Sequence, residues 1–588
     1  MPRQAIPFVG QAYEMPAIQL DAQTCINWYP TIDSSGKFPS ALLPTPGMVL
    51  WADDNNNYEV RGLFQLNGIL YAVVDNSFRK YDSNGNYEEK GTLKTSSGNV
   101  RMIANDFQVF ITDTQYGYVY QVVATDDRDA GVFFQIEEAT SFVGEAVFDG
   151  AGLDDLVAGG SYIGPDNKNY RIEIDSVGSD ANPDTFRWSD SDGAAWNAET
   201  IQINGNSQAL NDGVTVQFFH TIGHTLHDQW TFATSVDSSF YVPLIPAYQD
   251  NYGIFIKKVS NVFYVSEIND FSKVNATAFA KTNALPDNLV AGISIREELW
   301  LLCKDSTEVW YNTGVGTIPF QRRTNLVMSY GCAAPYSVSS GDNNLLFWLG
   351  RNSDGGRVVI FAAGYQLKIV STESINAEID KYTRVDDAIG WVEQLDGHIF
   401  YHLIFPSADK SWTYDMKTDM WHERRSRATN ELPASPEYRQ GRWRANNYIY
   451  FNDKRLVGDF ESGKIYQLST KEPTENGTPI ARERASRIIQ NLLDRIVINS
   501  LQIDFQAGEG LTVGQGSDPQ MMLQVSKDDG VSWGNELWRS AGKIGEYRKR
   551  VKWNRLGAAR SFTFRIRTTD PIYNVIMGAV VDIEDTLS

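Results

Sequence analysis

From Val60 onward, apolar and polar residues alternate with a period of two, in short runs separated by Asn, Asp and Gly. Alternation of this kind predicts β-strands with one buried face. The Asn-Gly and Asp-Asn pairs between runs predict tight antiparallel turns, whose central residues favour positive φ. The segment VRGLFQLNGILYAVVDNSFRKYDSNGNYEEKG reads as strand, turn at Asn67-Gly68, strand, turn at Asp75-Asn76, strand, turn at Asn84-Gly85, strand. Four strands in so short a stretch make a small antiparallel sheet. The same rhythm returns from Val100, Val290, Ile389 and Gly441. SWTYDMKTDMWHERRS, Ser411 to Ser426, is the outer hairpin of one such unit: Trp412 and Tyr414 share a face, Asp415 to Asp419 supplies the turn, and Met420-Trp421 restarts the apolar pattern. Helical periodicity is scarce, and TESINAEIDKY is its best short example.

A four-stranded sheet cannot bury both faces alone, and stacking such sheets in a ring covers the faces and limits exposed edges. The expected fold is therefore all-β, with residues 59–165 and 237–480 forming a β-propeller-like core of about seven blades at about 50 residues each. Residues 166–236 have their own alternating strands and Asn/Asp-Gly turns, and are expected to be an inserted small β-sandwich module. Its flank, GAGLDDLVAGGSYIGP, suits a flexible junction. Residues 1–58 are Pro-rich and read as an irregular arm, and residues 481–588 as a separate C-terminal β domain.

Composition narrows the function. With 52 basic against 73 acidic residues the net charge is −21, a balance that repels phosphate backbones and argues against wrapping nucleic acid on a basic face. DNA sliding past without sticking remains compatible with it. Apolar content of 42% supports a packed core rather than disorder. The three cysteines, Cys25, Cys303 and Cys332, form neither a disulfide framework nor a zinc pattern. No apolar run is long enough to span a bilayer, and MPRQAIPFVG lacks a charged-then-apolar leader, so folding in a cytoplasm is expected.

Several motifs invite chemistry. SKDDGVSW (Ser526, Asp528, Gly530, Trp533) fits the Asp-box turn known from sialidase-like propellers, and SDSDGAAW is a degenerate copy with Ser191 in place of Asp. Both are expected to brace hairpins. Gly458-x4-Gly463-Lys464 approaches a phosphate-binding loop, but Ile465 replaces the hydroxyl residue and strands flank it. His398 and His402 lie four apart on a strand, about 13 Å between backbones, too far to share an ion. His220, His224 and His227 straddle a turn, and His422 stands alone. No Gly-x-Ser-x-Gly elbow or His-Glu-x-x-His is present, and no catalytic residue, cofactor or metal is assigned.

YRKRVKWNRLGAARSFTFRIRTT departs from the acidic average. It carries Arg548, Lys549, Arg550, Lys552, Arg555, Arg560, Arg565 and Arg567 and no acid. Alternation places Arg548, Arg550 and Lys552 on one strand face and Arg565 with Arg567 on another, opposite Phe564 and Ile566. In so acidic a chain this strip suits docking against an acidic patch on another copy or a neighbour.

Three stretches in order carry a resemblance: INWYPTIDSSGKFPSALLPTPGMVLW (Asn27, Tyr29, Pro30, Ser35, Gly36, Pro46, Gly47), LFQLNGILYAVV, and KRVKWNRLG from Lys549 to Gly557. With the blade rhythm they resemble the packaged-DNA stabilisation (tail hub, or nozzle) proteins of short-tailed bacteriophages. The resemblance implies a virion tail protein, assembled in the host cytoplasm and not an enzyme. It implies a homohexameric ring below the portal and its head-to-tail adaptor, which extends the DNA exit channel and helps retain packaged DNA. It further implies partners in a tail needle or plug and in tailspike or fibre proteins, with genomic DNA in transient passage. The insert departs from shorter relatives. Two alternatives compete: a sialidase-like propeller glycosidase, favoured by the Asp-box, and a carbohydrate-binding tail adhesin with the insert as its lectin-like part.

Overall fold

Seven antiparallel sheets succeed one another between Val60 and Ser469 in the computed structural model. The structure describes residues 3–14, 22–32, 39–54, 56–122, 131–136, 141–162, 164, 167–179, 181–236, 240–341, 344–352, 354–427, 440–491 and 494–585. The first sheet uses Val60–Leu66, Ile69–Val74, Ser77–Tyr81 and Tyr87–Thr92 in chain order. The others start at Arg101–Ala104, Pro243–Gln249, Leu289–Ile295, Ser339–Gly341, Ile389–Leu395 and Ala445–Phe451. Neighbouring sheets pack face to face around a ring, and Ala445–Phe451 lies beside Val60–Leu66 to close it. The architecture is an all-β propeller of seven blades.

Stacking explains why middle strands read as continuous apolar runs. Glu298–Cys303 is buried at every position because it has a blade on each side. Separate apolar clusters fill the gaps between blades: Tyr71, Phe78, Val109 and Tyr120 between the first and second, Trp300, Val309, Trp348 and Ile360 between the fourth and fifth. The helix expected at TESINAEIDKY is Glu373–Asp380, capped by the Thr372 hydroxyl accepting from the Ile375 N–H at 3.3 Å.

The stretch expected to be an irregular arm is instead built into both ends of the fold. Gly47–Ala52 pairs with Ile465–Ser469 and supplies the outer strand of the seventh blade, so the ring is fastened by its own N-terminus. Cys25–Ile26 runs parallel to Met420–Glu423 of the sixth blade and antiparallel to Arg482–Ala485. That single insertion makes one continuous sheet from the propeller into the C-terminal domain. Arg3–Ile6 and Ser40–Pro44 both pair with Ile576–Asp585, and Trp28–Ile32 forms the edge beyond Ser40–Pro44. Alternation missed these strands because Trp28, Tyr29 and Pro30 are all buried, so no polar face marks them, and Pro30 is tolerated on an edge. Ser35 and Gly36 lie outside the described residues.

The C-terminal domain is a sandwich. One sheet contains Ile496–Phe505, Val551–Ala559 and Ile576–Asp585, and the other Arg482–Ala485, Ser561–Thr568, Gln520–Ser526 and Leu537–Ser540. Its core, with Leu501, Trp553, Phe564 and Val581, is continuous with Phe347, Tyr401 and Trp412 of the fifth and sixth blades.

A second compact unit comprises Ile136–Val242 with Ser272–Ala278. It has one sheet built on Gln229–Val236 and Lys168–Ser176 and another of Leu156–Gly160, Val214–Phe218 and Gln208–Ala209, around Tyr170, Phe186, Phe218 and Trp230. The module therefore begins well before residue 166. The Gly-rich flank expected to be a flexible junction is a strand: Leu156–Gly160 pairs with Val214–Phe218 throughout. Gly160 is there for room, since a Cβ on it would stand 2.3 Å from the Gly213 carbonyl oxygen.

Candidate functional site

The junction between propeller and sandwich concentrates the buried polar groups. Tyr29, carried on the edge strand of the sandwich, lies among His398, Phe400 and His422 of the sixth blade, with ring centroids 5.3, 5.2 and 6.1 Å away. His398 Nδ1 is 2.7 Å from Asp415, and His402 Nε2 is 2.9 Å from Glu393. His422, isolated in the sequence, joins this face of the blade. Burial depresses both His402 and His422 below the ordinary 6.5, and for His422 the neighbouring His402, Arg424 and His398 add to it.

Five arginines, Arg424, Arg442, Arg444, Arg482 and Arg484, are buried beside them. The Arg424 guanidinium lies 3.5 Å from the Trp443 ring centre and Arg442 lies 3.6 Å from that of Phe460. Arg484 donates to the carbonyls of Phe8, Gln11 and Thr24 and so ties the N-terminal strands to the sandwich. Burial pulls Arg424, Arg442 and Arg482 down to about 10, which leaves them cationic at neutral pH. Sequence reading passed over these residues. Their signal was present: in GRWRAN and ARERAS, Arg recurs at every second position, the spacing that sets side chains on one side of an extended chain. With so little of it open to solvent, the cluster joins domains.

The basic C-terminal strip does not form one face. Arg548, Lys549 and Arg550 are exposed in the loop before Val551–Ala559, not on a strand, because Gly542 and Gly545 turn the chain there with positive φ. Lys552 is half-buried opposite Gln502, Arg555 is exposed at positive φ, and Arg560 is exposed in the following turn. Arg565 and Arg567 are engaged within the chain. Arg567 pairs with Glu483 at 2.8 Å and Glu536 at 3.2 Å, and Arg565 bonds Gln524 and lies 4.1 Å from the Trp533 ring centre. Among the described residues, Arg548, Lys549 and Arg550 have no ion-pair partner.

In the Asp-box turn, the Ser526 hydroxyl accepts from the Gly530 N–H at 2.8 Å and donates to Asp528, which accepts from the Ser532 N–H at 2.9 Å. The Trp533 ring stacks with the Arg565 guanidinium. The degenerate copy has the same plan: the Ser189 hydroxyl accepts from the Gly193 N–H, and Trp196 stacks on Arg187 at 4.1 Å. Gly463 occupies the turn between two strands, with Gly458 inside the first, so no helix N-terminus faces that loop. His224 is buried between Asp184 (2.8 Å) and Asp155 (2.9 Å), while exposed His220 and His227 pair with Asp155 and Glu173. Burial raises the thiols of Cys25, Cys303 and Cys332 to about 11, 12 and 12, so none is a thiolate at neutral pH.

Two cavities lie along the propeller axis. One of ≈ 360 Å³ is lined by Gly62, Arg101, Ser339, Trp391 and Asn447, the other of ≈ 780 Å³ by Asp113, Arg351, Arg384, Asp386 and Arg442. Their charges are spent on neighbours: Arg351 pairs with Asp305 and Arg384 with Asp386.

Comparison with known proteins places this architecture. The family model described as bacteriophage P22 Gp10, beta-propeller, matches residues 201–472, and that described as bacteriophage P22 Gp10, beta-sandwich, matches residues 481–584. The first match starts inside the inserted unit, and the first two blades lie outside it. No curated protein matches the sequence. Among solved structures, the N-terminal domain of Nup159 is 9% identical over 76% of this chain and 98% of its own (TM-score 0.34). The computationally designed Ika8 protein is 11% identical over 72% and 100% (TM-score 0.30), and the Neurospora crassa Pan2 WD40 domain 6% identical over 72% and 94% (TM-score 0.33). Likenesses this distant carry no inference. With both of its domains matched in order over more than half of its length, the chain belongs to the bacteriophage P22 Gp10 family, the DNA-stabilisation proteins of short-tailed phages.

Proposed function

We propose that the chain is the tail hub, or nozzle, subunit of a short-tailed phage: a homohexameric ring below the portal and its head-to-tail adaptor, extending the DNA exit channel and helping to retain the packaged genome. The observation that carries this reading is the paired family match, propeller and sandwich in the same order. The physical character of the chain supports it. The ring of blades is fastened by its own N-terminal strand and shares a continuous sheet with the sandwich, which suits a stiff conduit. The sandwich segment, residues 481–588, is close to neutral, with 15 Lys and Arg against 13 Asp and Glu. Residues 136–242 hold 17 Asp and Glu against three Lys and Arg, and the remainder is mildly acidic. DNA moving past such a wall finds no dense array of cations to release counterions onto.

The role is geometric, with no bond made or broken by the chain, and the product of assembly is a virion part. Exposed Arg548, Lys549 and Arg550 serve docking, as do Arg555 and Arg560. The deciding experiment is the mass of the purified protein, alone and mixed with portal–adaptor complexes, together with DNA retention in particles made without it. A six-fold ring seated on the adaptor and particles that leak DNA are expected. A monomer that hydrolyses or binds glycans would replace this reading with the glycosidase or adhesin.

A further inference from the structure

Two exposed apolar patches of opposite charge lie on the same polypeptide. The first is the end of the C-terminal sandwich where two loops meet. The Gly545 N–H donates to the Gly508 carbonyl, a Cβ on Gly508 would fall 2.4 Å from the Tyr547 ring, and one on Gly510 would fall 3.0 Å from the Ile544 nitrogen. This contact presents Leu511, Val513, Ile544 and Tyr547 to solvent, with Val513 and Tyr547 both 77% exposed. Lys543, Arg548, Lys549 and Arg550 surround them and outnumber the acids of the two loops, of which Glu546 caps the Lys543 N–H, Glu509 accepts from the Gln506 amide and Asp518 from the Ser540 hydroxyl.

The second is the loop end of the inserted module. Buried carboxylates clamp its loops. Asp228 accepts from the N–H groups of Ala151, Gly152 and Thr225, and Asp184 from those of Gly178 and His224. So held, the loops expose Leu153, Val177, Phe219, Ile222 and Leu226, with Phe219 62% exposed. Asp149 and Asp154 stand exposed beside them, in the segment that holds 17 acidic residues to three basic. Large apolar side chains on a rigid, satisfied backbone are the signature of a contact surface, since holding them in place adds little ordering cost on binding.

We propose that these two patches are the halves of one head-to-tail contact between copies: the module end of one subunit seats on the sandwich end of the next. The occupant follows from charge and shape of character. A basic-rimmed apolar patch needs an acidic-rimmed apolar partner, and the chain carries one. A contact between two different patches is heterologous, and repeating it gives a closed ring when the rotation closes. The inference rests on the ring reading above and adds to it which surfaces touch.

The test uses two full-length variants, Arg548→Glu/Arg550→Glu with a dead sandwich end and Phe219→Ser/Leu226→Ser with a dead module end. All four residues are exposed, so thermal melts should match the wild type; Tyr547→Ser and Ile222→Ser are the reserve pair. Light-scattering mass across protein concentration is the readout. The wild type should assemble beyond a dimer, with association weakened about tenfold by high salt. Each variant alone should be monomeric. Mixed in equal amounts, they should form dimers and stop there, because each pair holds one live half of each kind. Variants that assemble like the wild type, or a mixture that stays monomeric, would overturn this contact and leave the ring reading standing. A wild type that is monomeric at every concentration and on the adaptor would overturn both. Wild-type binding to phosphatidylglycerol–phosphatidylcholine vesicles that is lost in Arg548→Glu/Arg550→Glu, with assembly unchanged, would overturn the contact and reassign the patch to a lipid surface.

Discussion

Asn27 and Arg425 exchange two hydrogen bonds of 3.0 Å across 398 residues of sequence: the Asn27 amide donates to the Arg425 carbonyl, and the Arg425 N–H donates to the Asn27 side-chain oxygen. The second amide hydrogen of Asn27 goes to the Ala481 carbonyl at 2.8 Å. One buried side chain thus joins the N-terminal strands, the end of the sixth blade and the entry to the sandwich. It does so at φ +56°, a conformation Asn tolerates better than most residues. Asn27→Ala should cost about 3 kcal/mol, from three lost bonds and their stranded partners. Asn27→Gly should recover about 1 kcal/mol of that by relieving the backbone. Urea unfolding of the two variants checks the order, and equal midpoints would contradict it.

Gly47 begins the strand that fastens the ring. A Cβ there would lie 2.3 Å from the carbonyl oxygens of both Glu472 and Thr474, which are backbone and cannot rotate away. Gly47→Ala should therefore lower stability by about 2–3 kcal/mol although Ala suits a strand no worse. The loss should appear as faster proteolysis at the seventh blade, measured by the first cleavage sites under limited digestion.

Arg61 is 2% exposed in the first blade and bonds only neutral oxygens: the carbonyls of Asp75, Thr95, Ser97 and Gly98 and the Thr95 hydroxyl, all at 2.7–2.8 Å. It pins the loop between the first two blades by geometry rather than by an ion pair. Arg61→Lys keeps the charge and loses the planar fork, so it should still cost about 3 kcal/mol. A thermal melt within a degree of wild type would show that charge alone suffices.

Acid should loosen the junction. His402 and His422 have pKa values depressed by burial, so below pH 6.5 the unfolded chain takes up protons that the folded one refuses. Stability from this source is complete above 6.5 and falls as pH drops through it. Glu393 and Arg424 face His402. His398, Tyr29, Phe400 and Arg424 surround His422. Glu475 and Asp459, whose pKa values burial raises, work in the opposite sense at lower pH, so the comparison must isolate the histidine. His422→Leu removes one of the two, and its stability should fall less between pH 7 and 5 than that of the wild type, by denaturant titration at each pH. Parallel curves would rule His422 out as a source.

Much of this molecule was legible in one dimension. Period-two alternation and Asn-Gly turns are local properties, so blades, hairpins and the helix Glu373–Asp380 follow from residues adjacent in sequence, as do the all-β class and the blade rhythm. The segments that close the architecture were not legible, because their partners are hundreds of residues away. Trp28 to Pro30 are buried together, and the positions that Gly47–Ala52 exposes are the apolar Val49 and Leu50, so neither strand has a polar face to read. The same holds for the polar groups. The chain shows that Arg565 and Arg567 share a face, but only folding brings Glu483 to them and leaves Arg548 to Arg550 without an ion-pair partner among the described residues. His422 stands alone in sequence and shares a face with His398 and His402 only because the blade's register sets His402 opposite Thr413 and Thr413 opposite His422 across three strands. Local pattern determined which elements form. Long-range pairing decided which of them meet, since contact free energy depends on distance in space and carries no mark in the sequence between.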